Sequence, residues 1–197
     1  MMSREKNETR QKILDSTLKL LEKSTGGKEV RMSDIAKDAS ISRQAVYLHF
    51  PTRADLLIAV TYRLDEIYDA AGRLVKPTNA KTGILRLETY IESWFGYLPL
   101  IYGVVKAMMD MRDDDEAANE AYNLRMQHIR SACETTILAL ERENQLQPHL
   151  TVEVATDILW TLLSIPVWEQ YRFKCGWTAR ECIQRTQLNA KAVLLKP

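Results

Sequence analysis

The chain has 197 residues and a mass of 22.7 kDa, is 46% hydrophobic and 27% charged, and has a mean hydropathy of −0.28. These values suit a globular protein with one sizeable core, or a small module beside a larger one, and exclude a fibrous or disordered make-up. Net charge is only +1, yet residues 1–62 carry 11 Lys and Arg against 8 Asp and Glu, and the remainder 16 against 18. That local excess has the sign that phosphate neutralisation needs.

Cys133, Cys175 and Cys182 are odd in number and form no CxxC, so neither a disulfide framework nor a zinc pattern is implied. His49, His128 and His149 show no ligand spacing, and no metal or cofactor is expected. The opening Met1-Met2-Ser3-Arg4-Glu5-Lys6 lacks an apolar core of the signal-peptide kind. The apolar uncharged stretch Ile158–Trp168, which invites a membrane reading, is about half the ~20 residues a bilayer demands. The expected location is the cytoplasm, with no membrane partner.

Apolar residues recur at three- and four-residue spacing almost throughout, which predicts helices. The first is predicted from about Glu8 to Lys23, with Ile13, Leu14, Thr17, Leu18 and Leu21 buried and Gly26-Gly27 as its C-terminal cap. A short helix over Ser33–Ala39 buries Ile35 and Ala36. After the turn at Ser40-Ile41, a second short helix runs from its N-cap Ser42 to about His49, closed by Pro51. A long helix is predicted over Arg53–Val75, broken by Lys76-Pro77-Thr78-Asn79. Further helices are predicted at about 81–96, 99–111, 114–144, 151–174 and 178–195. Their breaks fall at Gly96 to Pro99, Asp113-Asp114, Gln145 to Pro148 and Gly176. The fold class is all-α with about nine helices: a three-helix N-terminal domain over 1–52 and a helical C-terminal domain over 53–197.

Two short helices joined by a tight turn, the second Ser-capped and rich in polar side chains, describe a helix-turn-helix. The major groove of B-DNA admits one helix, whose early residues meet base edges while a preceding helix braces it. At helical spacing Val46 and Phe50 share an inner face and pack with Ile35 and Ile41, and Arg43, Gln44 and Tyr47 point outward. Arg suits guanine and Gln adenine; Tyr and His are phosphate donors.

The run from Ser42 to Leu57, with Tyr47-Leu48-His49-Phe50-Pro51-Thr52-Arg53 at its centre, resembles the hallmark of the TetR (tetracycline-repressor-like) family. Asp34-Ile35-Ala36-Lys37-Asp38-Ala39 resembles that family's D-I-A-x-x-A at the expected distance. The resemblance implies that Arg43 and Gln44 read bases, that Ser42, Tyr47 and His49 hold phosphates, and that Arg53 reaches the DNA backbone. Two departures stand out. Ser40 sits where the family usually has Gly, a position that favours φ > 0. Arg31-Met32 stand where the family begins its second helix with Thr or Ser, so that capping by Ser33 comes late, although Arg31 and Ser33 remain candidate phosphate contacts. The bland alternative is that Tyr47 and His49 are surface residues of a structural domain.

The C-terminal part is rich in aromatic and Met side chains, and the resemblance implies an effector pocket. Its candidate lining is Trp94, Tyr97, Tyr102, Met108, Met111, Tyr122, Met126, Trp160 and Trp168. Any one of them also reads as packed core. Asp113-Asp114-Asp115-Glu116 reads as a helix cap, or as a cation site; Cys175 and Cys182 read as inert thiols, or as oxidant sensors. Pro166 is expected to kink the helix in which it lies. Leu159, Trp160, Leu162, Leu163, Ile165 and Val167 leave that helix apolar almost all round, and so buried on several sides. The family's dimer implies that 151–174 and 178–195 pair with a second copy, matching a palindromic operator.

The expected function is a ligand-responsive regulator, a repressor that binds double-stranded operator DNA as a homodimer and is released by a small hydrophobic or aromatic effector. An activator or ligand-independent regulator of the same fold is the alternative. No nucleophile elbow, phosphate-cradling glycine loop or metal cluster points to an enzyme.

Overall fold

The computed structural model describes residues 2–23 and 29–197, with side chains from Lys6 onward, so the predicted Gly26-Gly27 cap lies outside the described residues. Helix dominates, and among the described residues the only β-type pairing is a single antiparallel bridge between Leu146 and Leu195. The chain forms two compact units, Met1–Tyr68 with Leu100–Met126, and Asp69–Pro99 with Gln127–Pro197.

The first unit contains α1 (Met2–Lys23), α2 (Met32–Asp38), α3 (Arg43–His49) and α4 (Arg53–Ile67). It also takes the second half of α7 (Gly83–Met111) and the first half of α8 (Glu116–Arg142). The predicted stripe of α1 is the one buried: Ile13, Leu14, Thr17, Leu18 and Leu21. It meets α2 and α4, whose Ile35, Leu56, Leu57 and Val60 are also buried. Thr52 caps α4, accepting from Asp55 N–H at 3.0 Å while the Asp55 carboxylate accepts from Thr52 N–H at 3.1 Å.

The second unit contains α5 (Ala70–Arg73), α6 (Val75–Thr78), α9 (Val152–Leu162), α10 (Ile165–Glu169), a π-helical turn over Gln170–Lys174, and α11 (Ala179–Leu194), with the remaining halves of α7 and α8. Its core holds Leu87, Ile91, Phe95, Ile137, Leu140, Leu159, Trp168 and Leu194.

The predicted helix over 53–75 stops at Ile67 because Asp69 turns left-handed (φ 49°) and its carboxylate accepts from Gly72 N–H at 3.1 Å. A Cβ on Gly72 would lie 2.0 Å from that carboxylate and would displace it from the turn. The two helices predicted at 81–96 and 99–111 are one, α7, with Pro99 inside it. Proline removes one helical hydrogen bond, but Phe95, Leu98 and Ile101 on either side are buried, and that burial outweighs the loss. The helix predicted over 151–174 is divided instead. Pro166 does not kink it; it sits in the first turn of a new helix behind Ser164, where a missing N–H costs nothing. The Leu163 carbonyl freed by this break accepts from Trp94 Nε1 at 2.8 Å.

Candidate nucleic-acid interface

The interface grows from α2. Arg31 is its N-cap but carries no side-chain acceptor, so only the reverse half of a capping box forms: the Asp34 carboxylate accepts from Arg31 N–H at 3.4 Å. The turn that follows closes in the Schellman pattern. Ile41 N–H reaches the Ala36 carbonyl at 3.0 Å and Ser40 N–H the Lys37 carbonyl at 3.2 Å. Ser40 pays the left-handed conformation with φ 56°, where glycine is the usual choice. Ser42 Oγ then accepts from Ala45 N–H at 3.1 Å and starts α3.

Along α3 the inner face is Val46, continued by Phe50, and both are buried, as is Ile35. Arg43, Gln44 and Tyr47 are exposed, Tyr47 by 38%. An Arg43 Nη donates to the Tyr47 hydroxyl at 3.3 Å, with the guanidinium carbon 5.5 Å from the ring centre. Both groups lie at the surface, so the contact is weak and open to replacement by a base or phosphate. Arg31 and Ser33 are also exposed, Arg31 lying 3.5 Å from Glu29.

One residue, Leu48, escaped the sequence reading, and two that it named, His49 and Arg53, have surroundings that it did not foresee. Leu48 is 76% exposed and lies one turn beyond Gln44 on the same face, the i to i+4 spacing being its only sequence signal; an apolar tip there suits a thymine methyl. Burial holds the His49 ring below its ordinary pKa of 6.5, and Lys6 and Arg10 of α1 repel its charged form further. Arg10 also lies 5.1 Å over the Phe50 ring, so the start of α1 delivers two cations to the end of α3. The third residue is Arg53, whose guanidinium pairs with Asp115 and whose Nε donates to the Val30 carbonyl at 2.9 Å. Its other Nη is buried without an acceptor. Asp115, from the acidic run, is indeed a cap, accepting from Ala118 N–H at 3.2 Å at the head of α8.

The candidate effector residues divide between the two units. In the second unit Trp94, Tyr97 and Trp168 are buried and Trp160 half-buried. Trp94 and Tyr97 have ring centres 6.3 Å apart, and the Arg73 guanidinium lies 5.7 Å from the Tyr97 ring. In the first unit Met108, Met111 and Tyr122 are buried, Tyr102 and Met126 half-buried, and Arg112 lies 5.2 Å over the Tyr122 ring. Burial pushes the Cys133 thiol up to about 12 and raises Cys182 as well, so neither is a thiolate at neutral pH; Cys175 is exposed. Among the described residues no group of three or more His, Cys, Asp and Glu is placed to hold a metal, and no helix is long and apolar enough to cross a membrane.

A short helix that presents Arg43, Gln44 and Tyr47 outward behind a tight turn and a bracing helix has the geometry of a helix-turn-helix. Residues 13–60 match the family model for bacterial regulatory proteins of the tetR family. Over that segment, about a quarter of the chain, the sequence is similar to the TetR family of transcriptional regulators.

Its relatives include a protein named nucleoid occlusion factor SlmA from Marinomonas sp., 25% identical over 150 residues, which cover 76% of this chain and 74% of the other. A transcriptional regulator from Saccharomonospora viridis, solved in complex with choline, superposes with a TM-score of 0.72 at 17% identity, covering 97% of this chain and all of the other. The regulator FadR from Bacillus subtilis, solved with stearoyl-CoA, gives a TM-score of 0.73 at 14% identity, covering 92% and 97%. At these identities the two structures establish the shared fold.

Proposed function

We propose that the protein is a ligand-responsive repressor: a cytoplasmic homodimer that holds a palindromic operator and releases it when a small hydrophobic or aromatic effector binds. In this reading residues 1–52 meet DNA, with Arg43 and Gln44 on base edges and Arg31, Ser33, Ser42, Tyr47 and His49 serving phosphates, while Arg53, expected at the DNA backbone, is instead engaged by Asp115 and the Val30 carbonyl. Residues 53–197 carry the effector and dimer surfaces. The observation that carries the proposal is that Met108, Met111 and Tyr122 belong to the same compact unit as the helix-turn-helix. Two ion pairs tie the first half of α8 to α4 there: Asp115 with Arg53, and Arg125 with Asp65 at 2.7 Å. An effector touching those Met and Tyr side chains therefore acts on the helix that follows the recognition helix. It shifts the equilibrium only as far as it prefers the released conformer. Two solved neighbours that carry small molecules, choline and stearoyl-CoA, support the effector reading.

For the dimer, α9 and α11 pack together and expose Val154, Leu188 and Val193, an apolar surface suited to a second copy. The test is fluorescence anisotropy on the DNA flanking the protein's own gene at low salt, with sedimentation of the complex. Binding of two copies to a palindrome, lost on adding an effector, is expected. Failure to bind any palindrome there overturns the reading.

A second reading, a ligand-independent DNA-binding regulator, is favoured by the name of the Marinomonas relative. It predicts many chromosomal sites and an affinity that no small molecule changes.

A further inference from the structure

Within the second unit a cleft of about 110 Å³ opens between α6, the first turns of α7 and the second half of α8. Leu74, Pro77, Tyr90 and Ala132 make its walls apolar, and Thr78, Thr135 and Thr136 complete the rim. Arg86 is the one charged residue lining it, and its Nε is buried with no hydrogen-bond acceptor. Among the described residues no carboxylate lies within ion-pair distance of its guanidinium, whereas the neighbouring Glu88 is taken by Lys191. A buried guanidinium N–H without an acceptor is costly, and the partner that suits its planar fork best is a carboxylate.

We propose that this cleft is a binding site for a small monocarboxylate, seated with its oxygens on Arg86 and its short apolar tail against Leu74, Pro77 and Tyr90. The chemistry favours this class over phosphate. The Thr135 and Thr136 hydroxyls already donate to the Ser131 and Ala132 carbonyls, at 2.9 and 3.0 Å. Arg86 is therefore the principal donor, enough for one planar monoanion but poor for a tetrahedral dianion. The volume, roughly that of three or four waters in the liquid, suits a ligand the size of propionate or butyrate. None of the candidate effector residues lines this cleft, so the site is separate from the proposed effector pocket and does not depend on it.

The test is titration of the full-length protein with sodium butyrate at constant ionic strength, followed through the Nε–H resonance of Arg86 and by calorimetry, with n-butanol and sodium chloride as controls. Saturable millimolar binding of butyrate that shifts the Arg86 resonance is expected. Arg86→Met should weaken it by about tenfold or more. Ala132→Leu keeps the guanidinium but fills the cleft, and should abolish binding as well. Circular dichroism confirms that each variant folds; should Arg86→Met not fold, the Ala132→Leu comparison and the Arg86 resonance decide. Non-saturable binding, equal binding of chloride, or unchanged affinity in a folded variant overturns the proposal.

Discussion

The ion pair between Arg53 and Asp115 is the sharpest place to test the energetics. Each side chain is only 14% exposed, Arg53 opens α4, and Asp115 heads α8 and caps it through Ala118 N–H. In Asp115→Asn the amide oxygen still caps the helix, so the change removes charge alone. Arg53 then keeps only the Val30 carbonyl and already has one Nη without an acceptor. Breaking a buried pair from one side costs about 3–5 kcal/mol; an amide can still accept one hydrogen bond, so about 2–3 kcal/mol is expected. For a chain of this length that lowers Tm by roughly 4–12 °C, at roughly 2–4 °C per kcal/mol. Asp115→Ala should lose about 1 kcal/mol more, the worth of the cap. Urea denaturation of Asp115→Asn, Arg53→Met and the double variant closes a cycle whose coupling should exceed about 1 kcal/mol. A cycle that is additive, with Asp115→Asn within about 0.5 kcal/mol of the parent, refutes the reasoning: the pair would then be worth no more than an exposed one.

Ser40→Gly relieves a left-handed residue that costs roughly 1–2 kcal/mol, against roughly 0.5–1 kcal/mol of added chain entropy. A rise in Tm of about 2 °C by calorimetry, absent in Ser40→Ala, is expected. Because the pKa of His49 is lowered in the folded protein, the unfolded chain binds more protons just below pH 6.5, so stability falls as pH drops through that range. Urea midpoints at pH 7.5 and 5.5 should differ less in His49→Gln than in the parent. Gln44→Ala at an exposed position should leave stability within about 0.5 kcal/mol, yet cost about 1–3 kcal/mol of discrimination at one operator base pair, read by anisotropy on substituted operators.

What could be read from the sequence was local. The two short helices, the Ser42 cap, the inward Val46 and Phe50 and the strained Ser40 all lie within twenty residues and obey the 3.6 period and turn chemistry. Helix ends fared worse where a side chain or distant burial decided them. Asp69 ends α4 by closing a turn on Gly72, and Pro99 fails to end α7 because its flanks are buried. The Trp94 indole, nominated as an effector contact, is engaged by a carbonyl that only the break at Leu163 exposes. Arg53 was read from its neighbours in sequence, but its partner lies 62 residues away, and no periodicity announces a contact of that range.

The same long-range pairs settle how α8 lies against α4. Arg53 and Asp65 are 12 residues apart on α4, about 18 Å at 1.5 Å per residue, and their partners Asp115 and Arg125 span about 15 Å. Pairing first with first and last with last makes the two segments parallel. The charge order runs Arg then Asp on α4, and Asp then Arg on α8. Reversing either segment would set Arg53 against Arg125 and Asp65 against Asp115, two repulsions in place of two attractions. The arrangement thus fixes direction and register together, which hydrophobic packing alone does loosely. A displacement of the first half of α8 must therefore carry α4 with it or break a pair whose partners are largely buried. Since α4 follows α3 after only Phe50, Pro51 and Thr52, the two pairs connect the first half of α8 to the segment that carries Arg43 and Gln44.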